Sequence, residues 1–188
     1  LYPDLIRSLR IFLCVVMDIQ VNFTNKVSES SLISLDLASY YPVGERVLFD
    51  IKDQLFQGLM LREKDFREFV KTHNWSLYAN KHVAVHCSTD AIVPTWAYML
   101  VASRLSPHAQ TVVFGDLAAL ELTLFDRALA TIPIENYRDQ RIVVKGCGDI
   151  PVPTSAYVTL AEKLSKVAQS VFFGEPCSTV PVYKRKTI

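Results

Sequence analysis

Val93-Pro94-Thr95-Trp96-Ala97-Tyr98 and Val152-Pro153-Thr154-Ser155-Ala156-Tyr157 are one pattern written twice. Upstream of each lies a second matching stretch. Lys81-His82-Val83-Ala84-Val85-His86-Cys87 aligns with Arg141-Ile142-Val143-Val144-Lys145-Gly146-Cys147, with a one-residue difference in the loop that follows. Downstream, the match runs through Leu105-Ser106 and Leu164-Ser165 to Val112-Val113-Phe114-Gly115 and Val171-Phe172-Phe173-Gly174. More than half of the aligned positions from Val93 to Gly115 are identical, which chance does not produce within one chain. Two copies are too few for a solenoid, so they read as halves of one compact domain.

Each copy has the same internal grammar. A β-branched run before the cysteine is the pattern of a buried strand. Pro94 and Pro153 suit the first helical position, where a missing N–H costs nothing. Apolar residues then recur every four positions, Val93, Ala97, Val101 and Leu105 in one copy and Val152, Ala156, Leu160 and Leu164 in the other. That spacing is one face of a helix. A second short strand closes each copy. A β–loop–α–β unit forces parallel strands and a right-handed crossover. The expected fold is therefore α/β and three-layered, with a mainly parallel sheet and an internal duplication whose copies span about 81–116 and 141–175.

Outside the copies, Arg62 to His73 reads as an amphipathic helix, with Phe66, Phe69 and Val70 on one side and Glu63–Arg67 and Lys64–Glu68 pairs on the other. Asp116 is placed to cap a helix running to about Ala130. Leu32–Leu37 and Arg46–Ile51 are candidate strands, and 52–60 has no decisive pattern. No low-complexity linker divides the chain, so 27–184 is expected to be a single domain. Residues 1–26 are expected to be a poorly ordered N-terminal extension, with 1–16 lying upstream of an ordinary start at Met17. Ile11-Phe12-Leu13-Cys14-Val15-Val16 faintly imitates a signal peptide, but the apolar run is short and no small-residue cleavage site follows.

Half of the 188 residues are apolar, enough for a large core. A net charge of +1 leaves no broad basic field for nucleic acid, and Lys184-Arg185-Lys186 is most simply a solvated end. No stretch approaches the ~20 apolar residues of a membrane helix. The four cysteines, Cys14, Cys87, Cys147 and Cys177, lack the density of a disulfide framework, which points to a reducing compartment.

In parallel α/β sheets ligands bind beyond the carboxyl ends of the strands. Both repeated loops, Cys87 to Ile92 and Cys147 to Pro151, belong there, and Gly174-Glu175-Pro176-Cys177-Ser178-Thr179-Val180-Pro181 repeats the Cys-Ser-Thr of the first. Cys87, Cys147 and Cys177 are thus expected at one sheet edge, where three thiolates suit zinc or an iron–sulfur cluster, with Asp90 or Asp149 completing the shell. Two other readings stand beside this one: cysteines as small buried hydrophobes, or a reactive thiol activated by a helix start. A fourth needs no cysteine. The helix N-termini at Thr95 and Thr154, approached across Gly146 and Gly148, could hold a small anionic ligand or a partner chain. Tyr98 and Tyr157 read as packed aromatics. No G-x-G-x-x-G, Walker, G-x-S-x-G or H-E-x-x-H pattern is present, so no reaction is named.

From Tyr40-Tyr41-Pro42, through Arg62-Glu63-Lys64-Asp65-Phe66-Arg67-Glu68-Phe69, to the three cysteine loops, the chain resembles an uncharacterised bacterial family, DUF2480, over roughly Val27 to Lys184. The resemblance implies a cytoplasmic bacterial protein and no activity. The leading functional expectation is a metal- or cluster-binding protein on the three cysteines. The alternative is a non-catalytic binding or interaction module at the repeated helix starts. Neither nucleic acid nor membrane is expected as a partner, and a homo-oligomer is left open.

Overall fold

The computed structural model describes residues 32–146, 148, 150–175 and 177–186. The expected extension over 1–26 lies outside them. Among the described residues, seven strands and four α-helices follow one another as β1 (Leu32–Leu35), β2 (Arg46–Asp50), α1 (Glu63–Thr72), β3 (His82–His86), α2 (Thr95–Leu105), β4 (Thr111–Phe114), α3 (Leu117–Ala130), β5 (Arg141–Val144), α4 (Thr154–Ser165), β6 (Ser170–Glu175) and β7 (Ser178–Lys184). The protein is mixed α/β, with partly parallel sheets.

Local chemistry sets most of these boundaries. α1 has Glu63 and Asp65 in its first turn and Lys71 in its last, complementing the helix dipole, and Glu63 bonds Arg67 at 2.8 Å. The Asp116 carboxylate accepts the Ala119 N–H at 2.8 Å and starts α3. Pro94 and Pro153 stand one residue before α2 and α4, in extended conformation, and their carbonyls accept the Ala97 and Ala156 N–H groups at 2.9 Å. The four-residue spacing is buried as expected: Ala97, Val101 and Leu105 on α2, and Ala156, Leu160 and Leu164 on α4.

The strands form two sheets where one was expected. One has the order β2-β3-β4 and is wholly parallel; the other has the order β1-β5-β6-β7, parallel except for the β6–β7 pair. We call them the β3 sheet and the β5 sheet. Strand pattern identifies the parallel units but carries no information on which units share a ladder. In the β3 sheet, Phe49, Val83 and Val85 pack against Phe66 and Val70 of α1 and the buried face of α2. Ala84, pointing the other way, meets Leu120 and Leu124 of α3. Phe125 and Leu129 of the same helix enter the core of the β5 sheet with Ile142, Val144, Val171 and the buried face of α4. α3 is therefore apolar on more than one side, and it joins the two cores.

Register also corrects the strand alignment. Val85 pairs with Phe114, and Val144 pairs with Phe173. Because Phe114 and Phe173 are matched in the sequence, Val85 shares the place of Val144, and the one-residue loop difference disappears. Cys87 then stands level with Gly146. The physical reason is the pleat: Val83 and Val85, like Ile142 and Val144, face the helices, and a one-residue slip would turn each pair to the opposite face.

The two sheets have further local features in common. β1 and β2 flank β5 and β3, and each runs through an aspartate into a 3₁₀ turn, Leu37–Tyr40 or Ile51–Gln54. Further 3₁₀ turns, Trp75–Tyr78 and Ile134–Tyr137, precede β3 and β5. Asn80 and Asp139 follow them with φ of 60° and 58°, and donate their N–H groups to the His108 and Val167 carbonyls, both at 3.0 Å. Asn and Asp tolerate that left-handed backbone better than other side chains.

Candidate functional site

At the carboxyl end of the β3 sheet, Asp50 closes β2. Its carboxylate accepts the Lys52 N–H at 3.0 Å and, across the sheet, the Ser88 N–H at 3.1 Å. Burial pushes this carboxyl up, but the hydrogen bonds from Ser88 and Lys52 outweigh it and hold the pKa at about 2. Half-buried Cys87 directs its thiol to the Thr89 carbonyl at 3.5 Å. The Tyr98 phenol is pushed up, by burial first and then by the neighbouring Cys87 and Asp50. Its ring stands edge-on to Phe114, with centroids 5.1 Å apart.

Beside this cluster lies an apolar ledge. Phe56 and Met60 pair across a tight turn in which Gln57 and Gly58 have φ of 55° and 70°. Both positive angles fit the centre of a primed turn closed by the Leu59 N–H on the Phe56 carbonyl at 3.1 Å, with Leu59 the third residue between the paired Phe56 and Met60. Met60 also bridges Ile92, whose N–H donates to the Leu59 carbonyl at 3.2 Å. These backbone pairings bring four exposed apolar residues near one another. Leu59 is 62% exposed, Met60 51% and Ile92 79%; Phe56 is partly covered by the Arg62 guanidinium, 4.5 Å from its ring centroid.

The β5 sheet has the polar part of this arrangement without the ledge. Asp36 accepts the Ala38 N–H at 2.9 Å and lies 3.9 Å from Lys145 Nζ. Tyr157 stands edge-on to Phe173, with centroids 5.5 Å apart. Gly148, Ile150 and Val152 complete a narrow cleft there. After the 3₁₀ turn at Leu37–Tyr40 the chain runs directly into β2, so nothing corresponds to the Phe56–Met60 hairpin.

The residues expected to carry function are distributed as follows. Thr95 and Thr154 are exposed at the starts of α2 and α4. In the β3 sheet the loop amide of Ser88 donates to the Asp50 carboxylate. Gly146 has a packing role: a Cβ there would lie 2.2 Å from Cζ of Phe173. Gly148 is open, its nearest neighbour Ala38 Cβ at 3.9 Å. Cys87 follows β3, whereas Cys177 is exposed in the β6–β7 turn of the other sheet, so the two thiols do not leave one sheet as expected. Asp90 is exposed. Cys147 and Asp149 lie outside the described residues. Among the described residues no three His, Cys, Asp or Glu side chains are grouped to hold a metal ion, and no helix is long and apolar enough to cross a membrane.

Two features escaped the sequence reading. Asp50 was legible in principle, since Phe49-Asp50-Ile51 repeats the pattern of Leu35-Asp36-Leu37. The ledge had a weaker signal, a Gln-Gly pair between apolar residues, which is a hairpin cue only once both flanks are known to pair.

No curated protein matches the sequence, and no solved structure matches it. The model of one family, described as a protein of unknown function (DUF2480), matches residues 21–185. With nearly its whole length matched, the chain belongs to the DUF2480 family.

Proposed function

We propose that the protein is a non-catalytic interaction module built from a duplicated unit, and that the ledge of Phe56, Leu59, Met60 and Ile92 receives an apolar segment of a partner chain. The observation that carries this reading is the joint exposure of those four side chains on a backbone-paired platform. Apolar groups clustered at a surface mark contact sites more often than scattered ones do.

The duplication is supported by the shared register, the paired 3₁₀ turns and the Tyr98–Phe114 and Tyr157–Phe173 contacts. In this reading one copy, 46–115, interrupts the other between the turn after β1 and α3. Within the β3 sheet, α1 and α2 on one face and α3 on the other make the three layers.

The test is a photo-reactive phenylalanine analogue at position 92 of the full chain, expressed in its native host. A single adduct of defined mass is expected, reproduced with the purified partner and lost with Leu59→Asp. Equal labelling from position 162, or no loss with Leu59→Asp, overturns the reading. The second reading is a zinc or iron–sulfur site on Cys87, Cys147 and Cys177 with Asp90 or Asp149, supported by the accessibility of Cys87 and Cys177. Elemental analysis of protein purified without oxygen separates the two: one metal per chain, reduced by Cys147→Ser, would establish the metal site.

A further inference from the structure

Trp96 and Ser155 occupy matched places on α2 and α4, and the difference between them leaves a groove. On α2, the Trp96 ring lies edge-on to Phe66, with centroids 5.9 Å apart, and the Arg67 guanidinium carbon sits 5.2 Å from the ring centroid. The indole thus fills the space between α1 and α2. Between α3 and α4 the corresponding frame is kept: Phe125 stands for Phe66, Leu129 for Val70 and Ala156 for Ala97, all buried. Ser155, however, contributes no ring, and the place of Arg67 is taken by Asp126. The space persists as a cleft of about 320 Å³ lined by Leu122, Phe125, Leu129 and Ala156, with Asp126 and Ser155 also in its wall.

We propose that this α3–α4 cleft binds a small aromatic amine, its ring lying where Trp96 lies in the other pair and its ammonium facing Asp126. The other helix pair establishes that this frame accepts an aromatic ring. The volume is that of a small-molecule site. The exchange of Arg67 for Asp126 sets the charge. A guanidinium is attracted to the face of an indole, whereas a carboxylate is repelled by it and is satisfied instead by a cation carried on the ligand. A wall with Leu122, Phe125, Leu129 and Ala156 for the ring, hydroxyls from Thr123, Ser155 and Thr159, and Asp126 as its one charge thus selects an arylalkylammonium over the neutral or anionic analogue. The inference uses none of the ledge residues and stands independently of the interaction reading.

Tryptamine titrated into the full chain, followed by calorimetry and by backbone amide shifts, tests it. Saturable one-to-one binding is expected, with shifts centred on 122–129 and 155–159. Indole acetate should bind about tenfold or more weakly, since one charge-assisted contact becomes a repulsion. Ser155→Trp should fill the cleft from within, abolish tryptamine binding and raise Tm; Ser155→Leu serves if the indole does not fit. Asp126→Asn should reduce the preference for tryptamine over indole acetate. Absence of saturation at millimolar tryptamine, equal affinity for the two ligands, or binding that survives both Ser155 variants overturns the proposal. So does tighter binding of a peptide with an internal tryptophan, which would make the cleft a protein-docking groove.

Discussion

Asp50 acts on the fold through two backbone amides, those of Lys52 and Ser88, and ties the end of β2 to the loop after β3. Its pKa is lowered from 3.8 to about 2, so the folded state favours the carboxylate more than the unfolded chain does. That contribution is complete above the unfolded value and is lost as pH falls through the folded one. After allowance for solvent screening it is about 1 kcal/mol. Urea unfolding of Asp50→Asn should therefore lie below the wild type by about that amount at pH 7, with the gap closing as pH falls toward 2. A pH-independent gap would mean that the charge is not what matters. At the same scale, Gly146→Ala and Gly148→Ala separate packing from ligand access. The first drives a methyl into the Phe173 ring and should cost about 1–3 kcal/mol, while the second meets nothing closer than Ala38 and should be near neutral. Equal costs would contradict the packing role assigned to Gly146.

At the scale of elements, the helices were the most legible part of the chain. Four-residue apolar spacing, the Asp116 cap and the Glu63–Arg67 pair all act within a few residues, so local sequence reports them directly. β7 was missed because Pro181 and the Cys-Ser-Thr repeat read as loop, yet β7 lies at the sheet edge, where a proline removes no needed donor. The 52–60 segment resisted reading for the opposite reason: its state depends on Ile92, more than thirty residues away in the chain. Helix pairing makes its own prediction. Trp96→Ser should open between α1 and α2 a groove like the one between α3 and α4. Because Trp96 is only part-buried, the loss should be about 2 kcal/mol, less than for a fully buried tryptophan, and calorimetric unfolding can measure it. A wild-type Tm would show that the ring contributes no packing there.

For the whole molecule, the repeated sequence pattern located the parallel β–α–β segments but not their placement in separate sheets, because ladder membership is decided by long-range pairing. The same limit misled the thiol argument. Cysteines aligned in sequence seemed bound for one edge, whereas register sets Cys87 level with Gly146, and Cys177 leaves the other sheet. On the proposed duplication, the Phe56–Met60 hairpin and the Ser155 cleft are the places where the two units differ. Hydrogen–deuterium exchange on the full chain, alone and with its purified cross-linked partner, tests the interaction reading most directly. The account predicts slowed exchange centred on 56–62 and 87–95 with the β5 sheet unchanged. Unaltered exchange in those two segments, or protection confined to the carboxyl end of the β5 sheet, would contradict it.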